Sequence, residues 1–218
     1  MYHFFCKASI FTFHPIGSFL GKKRQRFQFF LLFSVLMPIV FTYCSPEKGI
    51  SERAYELEKR GLFAEAVYEY SRALDSNPEY GFANRRMGFI LSESYKSIVP
   101  AIRHLEAAKN TFQNDTELNL KLFDLTLFVE DYPKAEKLKK ELQQSLSKES
   151  SDYIQQLFEC RKNSDSQKKK LVSFFSGAAE PPEIKLIYRS VYLCMKNLEW
   201  KEKAAELSSR FRLKGQYE

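Results

Sequence analysis

Few residues of this chain are spaced for covalent chemistry. Ser145 and Lys148 lie three residues apart, the spacing at which a lysine amine can serve as the base of a serine nucleophile. The companion Ser-Asp-Asn and Lys-Thr-Gly motifs of such hydrolases are absent from the sequence. Of the three histidines, only His104 follows residue 44, so the later residues cannot form a histidine triad or a multi-histidine metal site. We therefore predict no enzyme and no cofactor, with a serine–lysine hydrolase as the disfavoured alternative.

Cys44 offers a different chemistry, which is acylation. An apolar run of 15 residues, 29–43, follows the basic stretch 21–26, and this order is typical of an export signal. The run is shorter than the roughly 20 residues of a membrane-spanning helix, and Pro38 interrupts it. The segment resembles the acylation site of bacterial lipoproteins, although Tyr43 replaces the usual small residue, as in the looser sites of spirochaetes. We predict a lipid on Cys44, and an uncleaved membrane-spanning anchor is the alternative.

The charge of the chain is concentrated in its first 44 residues. The whole sequence has a formal net charge of +7, but five basic residues and no acidic residue lie in the leader. The remainder holds 29 basic and 27 acidic residues, a net charge of +2. A nearly neutral folded part gives no electrostatic reason to bind phosphates. We therefore predict no nucleic-acid partner, and no small-molecule substrate is evident.

A helical pattern repeats after the leader. In residues 53–80, Gly61 interrupts a first helix and Asn77-Pro78 ends a second one. The apolar residue that opens the second helix recurs at steps of 35, 34 and 68 residues, the last being twice 34: Phe63, Ile98, Tyr132 and Trp200. Small residues that allow close helix contact recur at Ala54 and Gly88, and at Ala66, Ala101 and Ala135. This period predicts stacked helical hairpins.

With Tyr70, Ala73 and Pro78, these residues resemble the tetratricopeptide repeat (TPR) family. The third repeat departs from the family pattern, because Glu130 replaces the turn glycine and Phe123 replaces the small residue. The resemblance implies an all-α fold, an α-solenoid of stacked hairpins whose concave surface is lined by the first helix of each repeat. It also implies that the protein binds another protein or a peptide. Unrelated helical hairpins are the alternative interpretation.

The sequence divides into four predicted parts. The leader spans 1–44, and its signal sequence is predicted to span 21–43. The true start is predicted near Leu20, so that residues 1–20 lie outside the signal sequence. A tether spans 45–50, three TPR-like repeats span 51–148 with Ser51 as the first helix cap, and two degenerate hairpins span 149–218. The first of these hairpins is predicted to turn at 163–166, and the second to pair 184–197 with 199–213. The predicted location is the cell envelope, lipid-anchored and facing the periplasm.

The predicted binding groove lies over the first three repeats. Phe82, Arg85 and Phe89 fall at i, i+3 and i+7, on a stripe separate from the residues that pack helix against helix. The equivalent positions in the neighbouring repeats are Tyr55, Leu120 and Asp124. Aromatic and arginine side chains dominate the binding energy of protein interfaces, so the groove is predicted to take a largely apolar peptide or helix. The alternative is that Phe82 and Phe89 complete the core.

Two cysteines lie in the repeats. Cys160 and Cys194 are 34 residues apart, which is one repeat, and this places them at equivalent positions of neighbouring first helices. Packed helix axes lie about 8–10 Å apart, whereas a disulfide needs Cα atoms within about 7 Å. Both thiols are therefore predicted to stay reduced as small apolar core residues.

Overall fold

Nine α-helices joined by short loops form the part of the chain that the computed structural model describes, residues 45–211 apart from the side chains of 163–165. They are α1 (Pro46–Lys59), α2 (Phe63–Ser76), α3 (Gly81–Glu93), α4 (Ile98–Lys109), α5 (Thr116–Phe128), α6 (Tyr132–Leu142), α7 (Lys148–Gly177), α8 (Ile184–Asn197) and α9 (Lys201–Arg210). These described residues contain no strand, so the predicted all-α class is confirmed for them. Residues 1–44, with the signal sequence and Cys44, lie outside the described part.

Helical hairpins recur along the chain. The pairs α1–α2, α3–α4, α5–α6 and α8–α9 each pack together. In each pair the first helix is followed by one residue with a left-handed backbone, and these residues are 35, 34 and 69 positions apart: Gly61 (φ 75°), Lys96 (φ 55°), Glu130 (φ 62°) and Glu199 (φ 58°). Glu130 thus takes the glycine's conformation despite its side chain, at a modest cost in backbone strain. The predicted helix starts at Phe63, Ile98 and Tyr132 are confirmed.

Small residues bring the two helices of a hairpin together. Ala54, Ala66 and Ala101 are fully buried. A Cβ atom added to Gly88 would lie 2.5 Å from Cγ of the fully buried Leu105, so α3 and α4 are in contact at a distance that only glycine allows. Phe123, the large residue at the corresponding place in α5, is itself fully buried.

The helical region begins earlier than predicted, and the predicted first helix cap is wrong. Helix α1 begins at Pro46, the second residue of the predicted tether 45–50, and Ser51 lies buried inside this helix. Proline suits the first helical position because its ring fixes φ and no backbone N–H is needed there. Glu47 adds an acidic side chain in the first turn, where the helix dipole favours it.

The predicted turn at residues 163–166 is also wrong, because α7 runs through it as one helix of 30 residues. The four polar residues include no glycine and no proline, so nothing obliges the backbone to leave the helix. The predicted break near Pro181 and Pro182 is confirmed, since α7 ends at Gly177 and α8 starts at Ile184. As a consequence α8 packs against both α7 and α5.

A disulfide joins Cys160 of α7 to Cys194 of α8, so the prediction of two free thiols is wrong. Their Cα atoms are 5.6 Å apart, and both residues are fully buried. The prediction failed because it used the distance between helix axes. Cα atoms lie about 2.3 Å from the axis, so two Cα atoms that face each other across packed helices come within about 3.4–5.4 Å.

Candidate partner-binding face

The first part of the predicted groove is assembled where α1 meets α3. The rings of Tyr55 and Phe82 are in edge-to-face contact, with centroids 5.9 Å apart. The guanidinium of Arg86 lies 5.2 Å from the centre of the Tyr55 ring and forms an ion pair with Glu58. Tyr55 and Phe82 each keep part of their surface exposed. We call Tyr55, Phe82, Arg85, Arg86 and Phe89 the α1–α3 face.

Arg85 and Phe89 extend this face towards α5. The Arg85 guanidinium lies 4.9 Å from the centre of the Phe89 ring. Arg85 also forms ion pairs with Asp115 at 2.8 Å and with Glu117 at 2.6 Å, both at the start of α5. Burial opposes ionisation of Asp115, but the hydrogen bonds and charge of Arg85 together with the backbone N–H of Leu118 outweigh it and hold the pKa of this carboxyl below its usual value. The charge of Arg85 is therefore compensated within the protein.

Phe82 and Phe89 both contribute to the core as well as to this face. Phe82 packs against the cluster of α1, α2 and α3 and lies 6.4 Å from the ring of Tyr70. Phe89 packs against the larger cluster formed by α4 to α9. Each ring is partly buried, so each can contribute both to stability and to an exposed binding surface.

Leu120 and Asp124, predicted to line the groove, are buried in the protein. Leu120 is 1% exposed and Asp124 is 0% exposed. Helix α8 packs on α5, and the backbone N–H of Ser190 donates to the Asp124 carboxylate at 2.8 Å. The repeat period alone could not reveal this, since it relates neighbouring hairpins and says nothing about a helix 65 residues further along. These two residues are therefore not available to a partner in this structure.

A cluster of charged side chains lies at the contact of α3, α5 and α8. Arg189 is fully buried and lies 3.4 Å from Asp124 and 3.3 Å from Glu93. It also donates to the carbonyl oxygen of Ser92. Lys121, 1% exposed, forms an ion pair with Glu93. Two cations and two carboxylates thus compensate one another, and Arg189 joins α8 to both α5 and α3.

The burial of this cluster affects how its carboxyl groups titrate. Desolvation raises the pKa of Asp124, even though Arg189 and Lys121 favour its charged form. Glu93 is also desolvated, but its attraction to Lys121 and Arg189 outweighs this effect and holds its pKa below the usual value. Burial and the nearby Arg189 lower the pKa of Lys96. The same cluster therefore raises the pKa of one carboxyl, Asp124, and lowers that of the other, Glu93.

The sequence interpretation did not identify Glu93, Lys121 or Arg189 as important. Two signals were present, because Lys121 and Asp124 interrupt the otherwise apolar run of α5, and Arg189 interrupts the apolar α8. A charged residue in an apolar helix needs a partner when it is buried. Finding that partner requires knowing that α8 packs on α5, which is a long-range contact.

Ser145 and His104, also considered for chemistry, each form a hydrogen bond within the fold. The Ser145 hydroxyl donates to the carbonyl of Leu142, and no hydrogen bond joins Ser145 to Lys148 among the described residues. His104 shares a 2.9 Å hydrogen bond with Asn84, and burial lowers its pKa. Its partner Asn84 in turn donates to the carbonyl of Pro78.

A cleft of about 530 Å³ opens beside the ends of α4 and α6. Its lining is polar: Lys109, Gln113, Asn114, Asn119, Glu141, Gln144 and Ser145. Asn119 occupies the place that Asn84 has one repeat earlier, and it likewise donates to a backbone carbonyl six residues before it. Leu138 stands where His104 would be, and the buried Asn119 Oδ1 has no hydrogen-bond partner among the residues that the structure describes. This oxygen is sealed from the cleft, because almost none of its surface is accessible.

No family model, curated protein or solved structure matches this chain. Within residues 45–211, no helix has the length and apolar character needed to cross a membrane.

Proposed function

We propose that the protein is a membrane-tethered, TPR-like α-solenoid that binds a protein or peptide on the α1–α3 face. The observation that carries the proposal is the composition of that face, where partly exposed aromatic rings lie in contact with guanidinium groups that are already ion-paired. Aromatic and arginine side chains are the common anchors of protein interfaces. The paired charges favour an apolar or amphipathic helix over a peptide that depends on a terminal carboxylate.

The recurring hairpins support the solenoid part of the proposal. Left-handed turn residues recur at spacings of 35, 34 and 69 positions, and the buried alanines Ala66, Ala101 and Ala135 recur at spacings of 35 and 34. Stacked hairpins of this kind present an extended surface, which suits recognition of another chain. The proposed surface is shorter than the sequence predicted, because α8 packs on α5, the first helix of the third predicted repeat.

The disulfide supports the proposed location outside the cytoplasm. Cys160 and Cys194 are the two cysteines within residues 45–211, and they are bonded to each other. Disulfides persist in the periplasm and on the cell surface but are rare in the cytosol. This agrees with the proposed export signal and with a lipid on Cys44, which would hold the first helix close to the membrane.

A double substitution tests the binding proposal. The Phe82→Ser and Phe89→Ser chain is compared with a control that carries Tyr68→Ser, because Tyr68 is 64% exposed on α2. Partner recovery is measured by crosslinking in membranes, and helicity is measured by circular dichroism. We expect the double variant to lose partner recovery with helicity intact, while the control keeps both. Loss of helicity would show that the two rings serve the core and that the binding face is elsewhere.

A further inference from the structure

The exposed apolar side chains of residues 45–211 are concentrated at the turns inside the hairpins. Five large apolar side chains are exposed in this part of the chain, and four of them, between 39% and 53% exposed, lie at such turns. Phe63 and Val99 lie in the first turns of α2 and α4, Tyr95 lies between α3 and α4, and Val129 directly follows α5. Single exposed apolar residues are common, but a set that recurs at one structural position indicates an interaction surface.

These turns lie along one edge of the stacked hairpins. Helix α2 packs against α3, and α4 packs against α5, so the first three hairpins are stacked in sequence order. Each turns at a left-handed residue, and these residues are 35 and 34 positions apart. Stacked repeats place equivalent positions side by side. We call the following residues the turn edge: Arg60, Phe63, Tyr95, Val99, Val129 and Glu130.

The charge of the turn edge changes sign along the stack. The stretch 59–65 in the first hairpin holds two basic residues and one acidic residue, a net charge of +1. The equivalent stretch 94–100 holds Lys96 and no acidic residue, which is also +1. The stretch 129–135 in the third hairpin holds two acidic residues and one basic residue, a net charge of −1. The first and third hairpins therefore present opposite charges on this edge.

The charges at the two ends of the turn edge are accessible. Arg60 is exposed, and its guanidinium forms no ion pair with another of the residues that the structure describes. The Glu130 side chain is 65% exposed, and its carboxylate forms an ion pair of 3.7 Å with Arg161. Each side chain can therefore contact an opposite charge on another molecule.

Two copies of this edge can pair about a two-fold axis in two orders. In the parallel order each hairpin faces its own counterpart, so that Arg60 opposes Arg60 and Glu130 opposes Glu130. In the antiparallel order the first hairpin of each copy faces the third hairpin of the other, so that Arg60 opposes Glu130 and Phe63 opposes Val129, each twice. Lys96 opposes itself in both orders and does not distinguish them. Because facing like charges are costly at an interface, the antiparallel order is favoured.

We propose that the turn edge is a homodimer interface, in which two copies of this chain pair in antiparallel order. Tyr95 and Val99 of both copies form its centre, and Arg60 faces Glu130 at either end. The inference goes beyond the proposed function, because it concerns a different surface. The rotation that produces the antiparallel order places both α1–α3 faces on the same side of the dimer and leaves both open to a partner.

Photocrosslinking of the full chain in membranes of the source cells tests the interface. A photoreactive phenylalanine analogue replaces Tyr95, and in the control it replaces Tyr68, which is 64% exposed on α2. We expect position 95 to give an adduct of twice the mass of the chain, which mass spectrometry identifies as this chain joined to itself. Position 68 should give at least tenfold less of this adduct. From position 95, the absence of an adduct, or an adduct only with another protein or with lipid, would overturn the proposal.

Charge reversal tests the antiparallel order. Arg60→Glu and Glu130→Lys should each lower the yield of the position-95 dimer adduct at least threefold, because each brings like charges together. The double variant should restore the yield, since the charges are then exchanged. Arg103→Glu is the matched control, because Arg103 is exposed in the middle of α4, and it should leave the yield unchanged. Circular dichroism should show unchanged helicity in every variant.

Two results would contradict this order. One is an equal loss of the dimer adduct on Arg60→Glu and Arg103→Glu, which both change exposed side chains. The other is a double variant whose yield stays as low as that of the single variants. Neither experiment alters the α1–α3 face, so the proposed function stands or falls separately.

Discussion

Replacing Arg189 by methionine removes a guanidinium that the protein cannot expose. The side chain is 0% exposed, and its loss leaves the Asp124 carboxylate, also 0% exposed, without its closest arginine. Removing one partner of a buried ion pair costs about 3–5 kcal/mol. The lower half of this range applies, because Asp124 still accepts a hydrogen bond from the backbone N–H of Ser190. The raised pKa of Asp124 also makes its carboxylate easier to protonate. We therefore expect the Arg189→Met chain to be about 3–4 kcal/mol less stable than the wild type.

Urea unfolding followed by circular dichroism measures this loss. With a slope of about 2 kcal/mol per molar urea, the midpoint should fall by about 1.5–2 M. Arg72→Met is the matched control, because Arg72 is 46% exposed and pairs with Glu69 on its own helix. This exposed pair contributes at most about 1 kcal/mol. The double variant Arg189→Met with Asp124→Leu replaces the buried charges by apolar groups and should regain most of the lost stability.

Two results would refute this reasoning. One is a change of less than about 1 kcal/mol on Arg189→Met, the size expected for an exposed pair, which would mean that the guanidinium is accessible to water. The other is a double variant no more stable than Arg189→Met alone. In that case the loss would come from the packing of α8, and the uncompensated carboxylate would not be its cause.

Three further predictions follow from single residues. Gly88→Ala should lower the free energy of unfolding by about 1–2 kcal/mol, because the cost of overpacking against Leu105 exceeds the gain in helix propensity. Gly49→Ala, whose new methyl group meets no atom within 4 Å, should raise this free energy by up to about 1 kcal/mol. Equal effects of the two substitutions in urea unfolding would contradict the close contact at Gly88. Because folding lowers the pKa of Glu93, its ionised carboxylate stabilises the protein fully at pH values above its usual pKa of 4.5. This stabilisation is lost as the pH falls through the lower pKa of the folded state. Glu93→Gln should therefore flatten the acid side of the stability profile, and an unchanged profile would show that Glu93 is not the responsible group. Cys44→Ser should abolish acylation, which intact mass and membrane fractionation measure; an unchanged mass with unchanged membrane retention would favour the uncleaved anchor.

Much of the fold was predictable because its signals are local. The spacing of Phe63, Ile98 and Tyr132 gave the start of three helices, since each hairpin repeats the same steric requirements. The bounds of α8 followed from the double proline before it and from its apolar pattern. The aromatic contact on the α1–α3 face was equally predictable, because Tyr55 and Phe82 lie in neighbouring hairpins related by the period.

The C-terminal half was less predictable because its structure depends on long-range contacts. Residues 163–166 continue α7, and the sequence could not show this because their polar side chains suit a turn and a helix alike. The burial of Asp124 depends on α8, which lies more than 60 residues away in the sequence. The disulfide was missed for a geometric reason, since facing Cα atoms are closer than the axes of their helices.

Site-specific photocrosslinking tests the central claim most directly. A photoreactive phenylalanine analogue replaces Tyr55 on the α1–α3 face, and in a second chain it replaces Tyr68, which is 64% exposed on α2. Both chains are irradiated in membranes of the source cells, and the adducts are identified by mass spectrometry. We predict a discrete protein adduct from position 55 that is lost when Phe82 and Phe89 are also replaced by serine, and none from position 68. The same adduct from both positions, or an adduct from position 68 alone, would contradict the proposed binding face.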